Sequence, residues 1–549
     1  MAAPLTTPEI LDLRRALSRT TGPERGRMLE AAMGRPLRSS KALKEWHDLL
    51  LFVLAHPADP AEHDKAEAAL ARLMERARSG GLGTGLTNSG VAGTPIQGTY
   101  SLSLVRWMLS RWRTHMRVVA VDAALDDLRE TVRPLLPQAE QESVDRPVED
   151  SAELMGALFG PDPRAQLTAL ISMLDGLPTT EALRESLWAR MLITVAVDGA
   201  PGCDLTTARA PAATPFCHPN GLSKGVDLRA VLDSPVPPPL RLTTAQLKDL
   251  VDTSRTVLAV QERETDPVTW AGAAELFDLG RGLRIALFHL DAAHRLPFDS
   301  YVGFMAFRNC VALAYGGAWI FPGRSKVGIN VFPAVRGGES AWFFAQLLRL
   351  YHQRFGVACF EAENYQLGHD NPDGLKSGAY WFYYRLGFRP MTRPLQRLAE
   401  REFNRLASRK GHQVPLKLLK DLVAEGLELP VGAQDGPVLD TAALSAALPV
   451  HVAVQHDGDR VRAMRRALER LCRCLPVGDL SAWTADERTA LYLWALPLDL
   501  FDDLEDWSAA ERKALVALVK AKGEATETRH QLLLRRHARL RAAWAKVAR

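Results

Sequence analysis

The feature that most restricts this chain is a series of short apolar runs packed into residues 283–332. Leu283–Leu290 (LRIALFHL), Tyr301–Phe307 (YVGFMAF), Val311–Tyr315, Ala318–Phe321 and Lys326–Phe332 (KVGINVF) follow one another with only turn signals between them. The breaks are Arg308-Asn309, Gly316-Gly317 and Pro322-Gly323. Runs spaced this closely leave no room for crossover helices, so they read as an antiparallel meander. Beyond them the period lengthens. Phe343, Phe344, Leu347, Leu348 and Tyr351 predict a helix over Glu339–Phe355, ended by Gly356. A strand at Val357–Ala362 and a helix near Gly378–Leu386 follow.

The flanks read as helix. Ile10–Arg19, Ser40–Leu54 and Lys65–Arg78 have helical spacing, and the last is rich in strong helix formers. Ser79–Gly98 holds seven glycines, which suits a surface loop or a phosphate cradle, but it lacks the GxxxxGK[ST] spacing. Ser101–Arg117 interleaves Arg106, Arg111, Arg113 and Arg117 with Trp107 and Trp112. That pattern fits an amphipathic helix with a basic face, or a nucleic-acid surface. Residues 198–240 carry eight prolines and read as a connector. Thr243–Glu264 reads as a helix. The expected organisation is a helical region over 1–197, a Pro-rich connector over 198–240, a central α/β domain over 241–395, and a helical region over 396–549. The fold class is thus α/β (α+β), a mixed sheet flanked by mainly α-helical regions.

Composition excludes several classes. With 549 residues, 47% of them hydrophobic, the chain can bury a core and is not disordered as a whole. Lys plus Arg is 68 and Asp plus Glu is 64, a net of +4, which is no global nucleic-acid signature. Six cysteines with no CxxC pair are too few for a disulfide scaffold. Cys217-His218 and Cys472-Arg473-Cys474 read as ordinary thiols, and no metal is expected. No apolar run reaches about 18 residues, so no membrane helix or membrane partner is expected. Met1–Arg14 has no apolar signal core, which makes a cytoplasmic location the default.

Two motifs carry the chemistry. One is Pro333-Ala334-Val335-Arg336-Gly337-Gly338-Glu339-Ser340-Ala341 and the other is Tyr383-Tyr384-Arg385-Leu386-Gly387-Phe388. Together with the helix and strand between them, they resemble the GNAT (N-acetyltransferase-like) acyltransferase superfamily over the central region only. The resemblance implies a donor thioester, acetyl-CoA or another acyl-CoA. Its diphosphate would rest on Arg336, Gly337, Gly338, Ser340 and Ala341 at a helix N-terminus, where free N–H groups and the helix dipole favour anions. Its pantetheine arm would lie along Val331 and Phe332, where the family's fourth strand splays from its fifth. Tyr383 matches the residue that protonates the leaving sulfur. It also reads as one of five consecutive core aromatics, Tyr380 to Tyr384.

The chain departs from the family pattern at Glu339, where a glycine is usual. A carboxylate about 4 Å from a phosphate repels it by roughly 4 kcal/mol at an effective dielectric near 20. Glu361 and Glu363 end the fifth strand two residues apart and are base candidates, or a pair of solvated carboxylates. Asn330 interrupts an apolar strand, and Tyr365 lies in a longer loop, Asn364–Ser377, beside the acceptor side; both are substrate candidates. His369-Asp370-Asn371 reads as a polar turn.

The expected function is N-acyl transfer from acyl-CoA to a small-molecule or peptide amine by direct attack. The alternatives are an aminoacyl-tRNA-dependent transferase, or a non-catalytic scaffold on the same fold. The tRNA partner draws on the Arg/Trp helix and on Arg529–Arg549, which holds seven Lys or Arg and no acid. That tail equally suits an amphipathic helix with a basic face. Asp502-Asp503-Leu504-Glu505-Asp506 fits a magnesium-diphosphate motif but reads as an acidic interhelical turn.

Overall fold

Alternation and turn chemistry build the sheet as the run spacing implies. The computed structural model describes residues 3–78, 85–211, 214–223, 225–433, 436 and 438–547. Three short strands, β1 (Ile96–Thr99), β2 (Met116–Val121) and β3 (Ile193–Val197), form an antiparallel sheet in the order β1-β3-β2. The main sheet comprises β4 (Ala271–Asp278), β5 (Leu283–Leu290), β6 (Ser300–Arg308), β7 (Val311–Phe321), β8 (Arg324–Val331), β9 (Cys359–Ala362), β10 (Arg389–Pro390) and β11 (Leu427–Pro430). Its order is β10-β11-β9-β8-β7-β6-β5-β4, antiparallel throughout except for the parallel pair β8/β9. The fold is mixed α/β with helical flanks, and at 55% helix to 13% strand the helices dominate.

Gly316-Gly317 is not a turn. β7 runs straight through it, because Gly303, Gly317 and Gly328 stand directly opposite one another on three adjacent strands. A Cβ on Gly317 would sit 2.6 Å from the Tyr301 ring, and one on Gly303 would sit 2.8 Å from Pro267. The glycines therefore make a trough in which a ring and a proline lie against the backbone. Tyr301 then stacks on Trp319 with centroids 4.2 Å apart.

The helices that place the site are α1 (Thr7–Leu17), α2 (Ser40–Ala55), α3 (Ser340–Phe355) and α4 (Ala379–Arg385). The Ser39 side chain caps α2 by accepting from the Ala42 N–H, and α3 ends at Gly356 in the left-handed region (φ +69°). α3 buries Phe343, Phe344, Leu347, Leu348 and Tyr351, and the Tyr351 hydroxyl donates to the Val302 carbonyl at 2.9 Å. The C-terminal bundle contains α5 (Thr441–His456), α6 (Arg460–Cys474), α7 (Ala485–Asp499), α8 (Ala509–Lys522) and α9 (Thr528–Arg536).

The organisation differs from the expected one in four places. One continuous core runs from Leu5 to Leu429, so residues 198–240 do not separate two bodies: Cys203, Leu205, Ala210, His218 and Leu232 are buried. Apart from the short helix Leu228–Asp233, the prolines there keep the segment irregular without keeping it out of the core. The central sheet extends past 395, because β11 inserts between β9 and β10. β4 also belongs to it; its Ala-rich stretch lacks the β-branched residues that signal a strand. In the glycine-rich stretch, Gly80, Gly81 and Gly83 lie outside the described residues, while Leu86, Val91, Ala92 and Ile96 are buried.

The bundle is fastened to the sheet by buried polar groups. Lys522 and Glu527, both fully buried, pair with each other. Ser300 Oγ donates to Glu527 at 2.9 Å, and Gln531 donates to Ser300 Oγ and to the Ile320 carbonyl. Removing one partner of such a pair strands a buried charge. We expect Lys522→Met to cost about 3–5 kcal/mol in urea unfolding, and Lys522→Met/Glu527→Gln to cost less than the single change. Equal costs would show that the charge is not what matters.

Candidate functional site

β8 and β9 pair only over Arg324↔Cys359, Ser325↔Phe360 and Lys326↔Glu361. Beyond Lys326 the pairing stops, because β9 ends at Ala362 while β8 runs on to Val331. Phe332 N–H donates to the Leu313 carbonyl on the β7 side. Ladder alternation therefore turns the backbone groups of Ile329 and Val331 away from β7, to the side β9 leaves unpaired, where the Val331 carbonyl accepts from Arg336 Nε at 3.3 Å. α4 carries Tyr383 there. The side chain is 2% exposed, edge-on to Phe344, Phe382 and Phe388, and its hydroxyl lacks a well-formed hydrogen bond. Burial pushes its pKa well up, with the Ile329 backbone N–H pulling the other way. Tyr383 is thus a neutral donor at neutral pH with its proton unassigned.

All five aromatics of α4 are buried or half-buried because the helix is packed on two sides. Tyr383 faces α3, while Trp381 and Tyr384 stack toward Phe403 of the helix Arg393–Ser408.

The end of α3 is closed by the chain itself. Glu339, the residue preceding α3, is 4% exposed and its carboxylate turns inward. It accepts from Arg308 at 2.5 Å, from Arg281, and from the Ser223 N–H at 2.8 Å. Arg308 also donates to His218 Nε2 at 3.0 Å. Both guanidiniums lie over the Trp342 ring, Arg281 at 4.8 Å and Arg308 at 5.2 Å. From α2, His56 covers Gly338 so closely that a Cβ there would sit 2.6 Å from its Nε2. From α1, Arg14 donates to the carbonyls of Pro333 and Arg336 at 2.7 and 2.8 Å. The space left between His56, Arg308, Val331, Glu339, Ser340 and Phe343 is about 10 Å³, room for about one water. Arg336 and Gly337 are exposed, and Ala341 and Phe332 pack against the core. The donor set at this helix end does not fit a diphosphate: its anion is already Glu339.

A cleft of about 800 Å³ opens beside the paired ends of β8 and β9. Glu361 and Glu363 both line it, so the spacing of two does bring them to one surface. Glu363 pairs with Lys326 at 2.9 Å, and Arg324 bridges Glu428 and Glu361, the latter at 3.8 Å. Asp299, Glu361, Glu363, Glu428 and Asp440 face Arg324, Lys326 and Arg535, so acids exceed cations five to three. Trp319, 37% exposed, offers a ring face. Asn330 is exposed on the same sheet face, opposite Tyr315, and Tyr365 is 57% exposed on the short helix Asn364–Leu367. Gln366, on the same short helix, lies 2.9 Å from where a Gly328 Cβ would be.

Six of the arginines that left room for RNA are tied to other parts of the chain. Arg106 meets Asp175 and Glu181, Arg111 meets Asp252, and Arg117 meets Asp198. In the tail, Arg529 meets Glu524, Arg535 caps the Gly356 carbonyl, and Arg539 meets Asp503. The last contact also ties up the acidic turn at 502–506. No helix among the described residues is long and apolar enough to cross a membrane.

Burial, and then the Arg308 cation, hold His56 far below its ordinary value and push His218 down from 6.5 to about 4. Such a histidine binds no proton where the unfolded chain does. Its stabilisation is complete above pH 6.5 and is lost as pH falls toward about 4. We expect urea midpoints to drop across that window, and the drop to shrink in His218→Gln. An equal slope in both would remove His218 from the linkage.

No family model, curated protein or solved structure matches this chain.

Proposed function

We propose that the chain transfers an acyl group from a thioester to an amine on a GNAT-like frame, and that the donor is not held by its phosphates at α3. The carrying observation is the Tyr383 hydroxyl, 2% exposed and lacking a well-formed hydrogen bond, beside the stretch of β8 that β9 leaves unpaired. Support also comes from the stretch of β8 past the parallel pair, whose Ile329 and Val331 backbone groups face away from β7 beside Tyr383 and suit an amide-bearing arm that would displace Arg336 from the Val331 carbonyl. Glu361 and Glu363 in the acid-rich cleft would attract a protonated amine and take its proton. The amine then attacks the acyl carbon, the C–N bond forms, the C–S bond breaks, the Tyr383 proton passes to the thiolate, and the nitrogen's second proton returns to the Tyr383 phenolate.

A second reading is a ligand-binding protein without transfer. The observation favouring it is the closed α3 end, with Glu339 locked to Arg308 under His56. An RNA-borne donor has less support, because Arg106, Arg111, Arg117, Arg529 and Arg539, which suggested it, are paired with carboxylates.

Comparing acetyl-pantetheine with acetyl-CoA as donors, across a panel of amines, tests the first reading. Similar kcat/KM for the two donors is expected, since no diphosphate cradle adds binding. Tyr383→Phe should lower kcat roughly a hundredfold or more with the unfolding midpoint kept. Full activity in Tyr383→Phe would remove Tyr383 from the reaction. Saturable amine binding with no transfer from either thioester would establish the second reading.

A further inference from the structure

His451, His456 and Asp499 lie in the C-terminal bundle and line neither the cleft nor the Tyr383 surroundings described above. His451 is on α5 and His456 is its last residue; Asp499 is the last residue of α7. One donor atom from each falls within 4.8 Å of the other two, the one such group of three among the described residues. His451 Nε2 lies 2.8 Å from Asp499 Oδ2, and His456 Nε2 lies 3.5 Å from the same oxygen. A tetrahedral zinc site, with ligand bonds of about 2.0–2.1 Å, needs donors about 3.3 Å apart. The cluster needs only small side-chain rotations to meet that.

A second observation points to a ligand. His456 is 6% exposed, yet neither of its ring nitrogens has a hydrogen-bond partner. Leaving a buried polar atom unpaired is costly, and an ion coordinated by Nε2 would remove that cost at that nitrogen. The groups around the cluster are arranged to suit one. Arg470 from α6 donates to Asp499 Oδ1 at 3.1 Å, which leaves Oδ2 for a single ligand bond and fixes the carboxylate's orientation. Glu505, 3.8 Å from Arg470, offsets that guanidinium's charge. His451 is half-buried, so an ion can enter from solvent.

We propose that His451, His456 and Asp499 bind one zinc-class divalent cation, with the fourth position open to water, and that this ion pins α5 to α7. It is a binding site independent of acyl transfer.

The test uses the full chain stripped with a chelator and then titrated with zinc or cobalt(II). One equivalent should bind at micromolar or tighter affinity. The cobalt form should show the strong visible bands of a four-coordinate ion without thiolate charge-transfer bands, which would betray cysteine ligands. Zinc should raise the unfolding midpoint of the stripped wild type. His456→Ala and His451→Gln should each weaken binding roughly a hundredfold or more and abolish that rise. Both variants are checked for wild-type circular dichroism before titration, so that loss of the site is not mistaken for loss of the fold. Wild-type protein that takes up no stoichiometric metal would overturn the proposal and leave a plain His–Asp ion pair. So would equal binding by both variants, which places the ion elsewhere.

Discussion

The pair between Arg308 and Glu339 is the contact on which the arrangement of the whole central region rests. Arg308 ends β6, and Glu339 precedes α3. Ser223 and His218 reach the pair from the Pro-rich segment, and His56 packs against its edge from α2. Four pieces of chain, distant in sequence, therefore meet on one buried charge pair. Two ions this deep pay a large desolvation cost, and their mutual attraction repays it only with good geometry and further hydrogen bonds. Both conditions hold here. Such a pair is weak evidence for added stability; its contribution is to penalise wrong dockings, each of which would leave a charge unpaired.

That pairing explains why a helix end that reads as an anion site does not present itself as one. The dipole of α3 and its unpaired N–H groups still favour negative charge. The chain supplies the charge from its own backbone neighbour, and the carboxylate points inward because Arg308 and Arg281 lie there. Asn309, one residue on, strengthens the same joint. Its amide donates to the carbonyls of Ala55 and Phe216 and accepts from the Phe216 N–H. The N-terminal helices are thereby built onto the meander rather than appended to it.

Much of the frame was legible in the sequence because it depends on local patterns. Apolar alternation and turn residues placed β5, β6, β8 and β9, and 3.6-residue spacing with Gly356 placed α3. What escaped depends on partners. β11 is four residues, Leu427–Pro430, with a proline at its end, and its strand identity comes from the neighbours on both sides. Gly316-Gly317 carries a turn signal, yet it is a strand because of glycines on two other strands. The site divides in the same way. Glu361, Glu363 and Tyr383 stood out by spacing and motif, and the carboxylates do share a cleft. The orientation of Glu339 could not be read, because it is decided by Arg308, Arg281 and His218, none of them near it in sequence. His451 and His456 gave no usable signal, since a spacing of five is not a common same-face interval on a helix.

The insertion of β11 has a consequence for how the chain is made. Glu361 and Glu428 are cross-strand neighbours, so β9 keeps an open edge until residues near 430 have been synthesised. At roughly 5–20 residues per second, that interval lasts several seconds. During it, the apolar strand Cys359–Ala362 is an unpaired edge of the kind that recruits other chains. Arg324, Lys326, Glu361 and Glu363 lie around that edge, and charged side chains beside an unpaired strand discourage such pairing. The charges that line the cleft in the finished molecule therefore also guard the nascent one.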